Sequence, residues 1–312
     1  MLSEVLSLVE SADRAVGIMV FFGALLGGTY YWANRSPTLA RIRSMLPITF
    51  VYITLTIVGV VFQLDTGSWT DRYLLHVTIG IGAMAFAHWG QWFINDWTDT
   101  ETDQHSNPDR PLATGQVTET QILATGISLL GVGILFSGAV KPEAAIALFG
   151  WILVAIVYTI PPFRLKDGAF SSMLCFGLLG TVAILFGSLL VAPTPNQSVW
   201  MLIAVLMVVI PVNSSYQDLP DEEGDSKAGI DNFVVRYGSG RVKQFLAVSF
   251  PISFIATALV FGWYAALPIF TGLGGAVTYL LVNWQGGDKI DPQISTVIGL
   301  YFISLAVSQY TW

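Results

Sequence analysis

Residues 95–115 read Asn-Asp-Trp-Thr-Asp-Thr-Glu-Thr-Asp-Gln-His-Ser-Asn-Pro-Asp-Arg-Pro-Leu-Ala-Thr-Gly, directly behind an apolar run from Leu74 to Ile94. A run of that length is a membrane span, which sets the fold class. Asp96, Asp99 and Asp103 follow at spacings of +3 and +4, so on a helix they share one face. Three adjacent anions repel one another, and nothing about folding asks for them. A cation between them accounts for the arrangement, and carboxylate oxygens suit a hard ion such as Mg²⁺.

The pattern returns downstream. Residues 217–225 read Gln-Asp-Leu-Pro-Asp-Glu-Glu-Gly-Asp, again behind an apolar run, Met201 to Val212. Laid over residues 95–103, the amide (Asn95, Gln217), three aspartates and a glutamate (Glu101, Glu223) coincide, and Asp218, Asp221 and Asp225 repeat the spacing. Two such clusters, each ending an apolar span, are far more specific than one.

Outward from these clusters the chain is apolar. It has 312 residues, 54% hydrophobic and 11% charged; a soluble domain carries roughly 25% charged residues. The expected fold is all-α, a polytopic transmembrane bundle. Candidate spans fall at 15–33, 46–64, 74–97, 120–138, 143–161, 169–192, 198–217, 243–263, 265–283 and 293–311, ten in all if the first, which could be interfacial, is counted. No linker divides the chain, so residues 1–312 form one domain. Of 21 acidic residues, six lie within 96–119 and six within 218–231. The net charge of −7 therefore belongs mainly to two sites, and without a basic patch nucleic acid is not a partner. One cysteine, Cys175, excludes an intrachain disulfide. Glu4, Glu10 and Asp13 argue against a signal peptide.

If the loop after residue 97 is cytoplasmic, that side holds Arg35, Arg41, Arg43, Arg110, Arg164, Lys166, Lys227, Arg236, Arg241, Lys243 and Lys289, against Arg14, Arg72 and Lys141 opposite. This bias puts both acidic clusters on the cytoplasmic side. Residues 98–119 and 218–242 are expected as long polar loops. His76 and His88 read as packing groups within a span, although His88, two turns before Asn95, could face a cavity.

The motifs resemble those of the UbiA superfamily of intramembrane prenyltransferases. The first signature is Asn95, Asp96, Asp99, Asp103, then Arg110, Pro111 and Gly115; the second is Asp218, Asp221, Glu223, Gly224, Asp225 and Gly229. Between them Tyr158-Thr-Ile-Pro-Pro-Phe-Arg-Leu-Lys166 matches a third. The similarity covers about residues 75–312. Residues 1–74 are atypical, and the family's amino-terminal Arg-Pro pattern has no evident counterpart in the first apolar run.

Several expectations follow from the resemblance. The bundle has nine or ten spans around a central cavity, set in membrane lipids. Mg²⁺, with Mn²⁺ able to substitute, joins the two motifs to an isoprenyl diphosphate. The best metal ligands are Asp96, Asp99, Asp218 and Asp221, with Asp103 and Asp225 next, and Asn95 orients them. Arg110, Lys227, Arg164 and Lys166 are candidates to hold the diphosphate; ordinary loop charge is their other reading. Tyr158 and Tyr216 are candidates by adjacency. The amino-terminal third, with Arg41 and Arg43, would shape the side of a lipophilic acceptor.

The expected activity is prenyl transfer to such an acceptor, aromatic compounds included. The second motif, Asp218-Leu-Pro-Asp221 with Glu223-Gly-Asp225, Lys227, Gly229-Ile230 and Phe233, is similar to that of the subgroup acting on quinone precursors such as homogentisate. A terpene cyclase of the same superfamily is the alternative. A divalent-cation channel or transporter is a remote one, because it needs ionisable groups along a membrane path and the spans between the motifs have almost none.

Overall fold

The structure, a computed structural model, describes residues 36–64, 68–100, 103, 110–286 and 292–311. The first expected span, 15–33, lies outside them, as do Arg14, Arg35, His105 and Lys289. Among the described residues the fold is helical. The long helices are α1 (Pro37–Gln63), α2 (Asp71–Thr98), α3 (Glu119–Val140), α4 (Pro142–Thr159), α5 (Ala169–Val191) and α6 (Gln197–Ser214). Two short ones follow, α7 (Glu222–Ala228) and α8 (Phe233–Tyr237), then α9 (Ser239–Val260), α10 (Leu267–Asn283) and α11 (Pro292–Thr311).

Eight helical stretches among the described residues are long and apolar enough to cross a membrane. To these α2 adds a less apolar helix of 28 residues, about 42 Å at 1.5 Å per residue. Local signals set the ends. Thr118 and Gln121 form a capping box ahead of α3, Asn196 caps α6, and Pro142 opens α4 at a position where its missing N–H costs nothing.

The structure corrects two expectations. Helix α1 starts at Pro37, nine residues before the expected 46, because a helix continues through polar turns that a hydropathy reading takes for its end. The segment 218–242 is largely helical as well. Residues Ser215–Asp221 are a 3-10 turn, and α7 has Glu222, Glu223 and Asp225 at its start and Lys227 at its end, as the helix dipole favours. Gly229, at φ +75°, closes it in the left-handed conformation.

Helices α1 and α5 are the most buried of the spans, and α11 packs on both α10 and α1, which closes the ring. At the α1–α5 crossing a Cβ added to Gly59 would lie 2.0 Å from the Ile184 carbonyl oxygen, and one on Gly187 would lie 1.9 Å from that of Thr56. Bare glycine lets the two backbones touch, which is how membrane helices gain dispersion contacts without a hydrophobic drive. Both span histidines are packed and satisfied: His76 Nδ1 is 3.0 Å from the Leu190 carbonyl, and His88 is held between Thr49 and Trp92.

Candidate active site

The site forms where five segments end together: the start of α1, the end of α2, the turn 110–116, the turn 160–168 and the stretch 215–232. Helix α2 carries Asn95 and Asp96 on its last turn, Asp99 caps its end and Asp103 follows; the three aspartates are buried.

Each is met by a base. Arg41 from α1 makes a two-pronged contact with Asp96, Nε to Oδ2 and Nη2 to Oδ1, both 2.6 Å. Arg110 Nη1 donates to Asp96 Oδ1 at 3.2 Å and to Asp103 Oδ2. Lys166 donates to Asp99 and, at 3.2 Å, to Asn95 Oδ1, while Asn95 Nδ2 donates to Asp99 at 3.0 Å. Arg164 Nη2 lies 3.1 Å from Asp99 Oδ1.

The second motif faces the same bases. Arg110 is within electrostatic reach of Asp221 and Lys166 of Asp225, so each base, bonded to the first motif, also lowers the charge cost of an aspartate of the second. Asp218 senses both Asp225 and Asp221, and Asn232 donates to Asp225. A backbone tie holds the turns in register: Asp231 N–H donates to the Asp167 carbonyl at 3.0 Å beside the Gly168–Asp231 bridge. Arg164 itself sits at φ +38°, ψ +52°, a left-handed conformation that a non-glycine residue adopts at some cost.

Burial pushes the Asp103 carboxyl above its ordinary range; Arg110 pulls it down, and Asp96 and Asp99 push it up again. Burial lowers the Lys166 ammonium, and Asp99 opposes the shift. Oxygen donors of this kind suit a hard divalent cation. Asp99 Oδ1 is buried and takes no hydrogen bond among the described residues, its charged neighbour being Arg164 Nη2. Among the described residues no three carboxylates converge into a ready-made cage. Mg²⁺ usually takes only one or two carboxylates directly and completes its shell with water and phosphate oxygens.

Directly inward lies an apolar cavity of about 90 Å³, with Gln217 and Tyr216 at its polar end, next to Asp218, and Tyr52, Phe176, Phe250 and Tyr301 among its walls. Of the two expected tyrosines, Tyr216 lines it. Tyr158 does not; its ring packs on Phe176, 5.5 Å between centroids.

Lys227 is not brought to the site. Its side chain is 75% exposed and pairs with Glu223 one turn away on α7, because the helix turns that face to solvent. Conversely, Arg41 was expected on the acceptor side and instead grips Asp96. The sequence signal for it was position: it lies one and two turns ahead of Met45 and Thr49 on the buried face of α1. Asn232 carried no signal beyond its place near the second motif.

A bundle of membrane-length helices, with two acidic motifs sharing basic partners over an apolar cavity, defines a polytopic membrane protein with a polar site at one end. The UbiA prenyltransferase family matches residues 51–305, and the chain belongs to that family. It is 29% identical over 186 residues to a digeranylgeranylglyceryl phosphate synthase of Thermococcus sibiricus, covering 60% of this chain and 62% of that relative. It is 24% identical to a homogentisate phytyltransferase of Synechocystis sp., covering 70% and 72%. The match therefore spans less than two thirds of the first relative's length. The fold is similar to that of a UbiA homologue from Archaeoglobus fulgidus bound to DMAPP and Mg²⁺, with a TM-score of 0.69 and 19% identity over 88% of this chain and 98% of that one.

Proposed function

We propose that the chain is a Mg²⁺-dependent intramembrane prenyltransferase that moves an isoprenyl group from its diphosphate to a lipophilic acceptor. The observation that carries this reading is the sharing of Arg110 and Lys166 between two acidic motifs at the polar end of an apolar, ring-lined cavity. That geometry suits a molecule with a polyanionic head and an apolar tail. The DMAPP and Mg²⁺ bound by the Archaeoglobus fulgidus homologue support it.

In this scheme Arg41, Arg110, Arg164 and Lys166 hold the diphosphate, since a polyanion in a poorly solvated site needs several charge-assisted donors. Asp96, Asp99, Asp218 and Asp221 would hold Mg²⁺, backed by Asp103 and Asp225 and oriented by Asn95. Bound there, the metal would supply positive charge to the diphosphate leaving group. Tyr52, Phe176 and Tyr216 present ring faces to the allylic cation and keep water from it. Mn²⁺ would substitute for Mg²⁺, and the site would open to the cytoplasm.

The test incubates purified protein with prenyl diphosphates of several lengths, with aromatic acceptors such as homogentisate or with lipid acceptors, with and without chelator. Diphosphate release that needs both metal and acceptor is the expected result. Release that continues in chelator would remove the metal–diphosphate scheme. A hydrocarbon product without acceptor would instead make the protein a cyclase.

A further inference from the structure

We propose that Trp92 is a positioning residue of the diphosphate site: its indole, fixed by His88, is the platform that aims Arg41. The inference rests on the prenyltransferase reading above, in which Arg41 meets the diphosphate.

On α2, residues 88, 92 and 96 are successive i, i+4 neighbours and form one stripe. Facing them on α1 are Arg41 and, two turns on, Thr49. Trp92 Nε1 donates to His88 Nε2 at 2.9 Å. An indole nitrogen only donates, so His88 Nε2 holds the lone pair and Nδ1 holds the proton. That proton points to Thr49 Oγ1 at 2.9 Å. The Thr49 hydroxyl accepts a second hydrogen bond from Trp89 Nε1 at 3.0 Å and spends its own proton on the Met45 carbonyl at 2.9 Å. Both lone pairs and the proton of the hydroxyl are used, so the run has one self-consistent arrangement. A fully satisfied buried network of this kind fixes geometry more than it adds stability.

The run delivers the Trp92 ring beneath Arg41, whose Cζ lies 5.1 Å from the ring centroid. The guanidinium is thus held on its face by an indole and on its edges by Asp96 and, through Nη1 at 3.0 Å, Ser44. An arginine tethered by a carboxylate alone would follow that carboxylate wherever it turned. A ring face holds the guanidinium independently of Asp96, so Arg41 keeps its aim while Asp96 serves another partner. Packing alone would be met by any large apolar residue at 92. It does not call for an indole N–H directed at a buried histidine.

The test measures Mg²⁺-dependent binding of inorganic diphosphate by calorimetry on the detergent-solubilised full chain, with the melting temperature recorded for each variant. Trp92→Leu should weaken binding about tenfold, and Trp92→Phe, which keeps a ring face, no more than about threefold. Arg41→Ala should weaken it by a similar or larger factor. In the Arg41→Ala background, Trp92→Leu should add less than about twofold, because a platform has no effect without the group it carries. If Trp92→Leu lowers the melting temperature, Trp92→Met, unbranched and without a ring, takes its place in the cycle.

Losses that multiply in the double variant, wild-type binding by Trp92→Leu, or no advantage of Phe over Leu would each overturn the inference while leaving the site reading intact. A wild-type protein that does not bind diphosphate would overturn both.

Discussion

At the residue scale the decisive contacts are those in which one base serves two acids. Arg110 reaches Asp96 and Asp103 and senses Asp221, so its loss exposes both motifs at once. Removing a charge-assisted contact to a buried anion costs on the order of 1.5–3 kcal/mol, roughly ten- to a hundredfold. Arg110→Ala should therefore raise the KM for the prenyl diphosphate by a factor in that range. Lys227→Ala should leave it within about twofold, since its pair with Glu223 is exposed and worth little. Donor kinetics measured side by side decide it; equal losses would mean that Lys227 swings into the site. Asp96 calls for a gentler substitution. It is buried and answers Arg41 and Arg110 together, and deleting one partner of a buried pair leaves uncompensated charge. Asp96→Asn keeps an acceptor for Arg41 and removes a metal-binding charge. It should cut turnover on the order of a hundredfold or more while the protein still folds. Near-wild-type turnover would take Asp96 out of the metal site.

At the element scale, stability depends on how closely helices approach. Any side chain at Gly187 meets the Thr56 carbonyl at 1.9 Å, and backbone cannot yield as a rotamer can. Gly187→Ala should cost about 1–3 kcal/mol as overpacking and lower the melting temperature in detergent. Gly131→Ala on α3, where nothing lies within 4 Å, should not. Equal melting temperatures for the two would mean that α1 and α5 do not touch. The same helices explain what the sequence disclosed. Spans such as 169–192 and 293–311 were legible because lipid demands long apolar helices, and they fall within a residue of α5 and α11. Both acidic motifs were legible because nothing else explains their spacing. Arg41 was not, because hydropathy marks where a helix meets lipid and says nothing of the polar turns that extend α1 back to Pro37. Helix α7 was hidden by its acidity, although the acids at its start, Lys227 at its end and the closing Gly229 are the ordinary marks of a short helix.

At the scale of the whole molecule, the question is which way the bundle sits in its membrane. The site end and the far end are set by one helix. Arg41 opens α1 at the site, while at its other end Phe62 and Gln63 take hydrogen bonds from Asn196 in the α5–α6 turn. The 22 residue steps from Arg41 to Gln63 rise about 33 Å, close to the thickness of a bilayer's hydrocarbon core. Among the described residues the site end carries Arg41, Arg43, Arg110, Arg164, Lys166, Lys227, Arg236, Arg241 and Lys243, and the far end carries Arg72 and Lys141. Basic residues are retained on the cytoplasmic side, so the site should face the cytoplasm, where a water-soluble diphosphate head could enter. Single cysteines test this. The native Cys175 is buried in α5 and would be replaced by serine to give a silent background. In that background Thr114→Cys and Ser226→Cys, both at exposed positions beside the two motifs, should react with a membrane-impermeant maleimide only when the cytoplasmic face is open. Thr194→Cys, exposed in the α5–α6 turn, should react only from the opposite face. Reaction of all three from one face would break the assignment of α1 as a full crossing. Reaction of Thr114→Cys and Ser226→Cys from different faces would mean that the two acidic motifs never share a site.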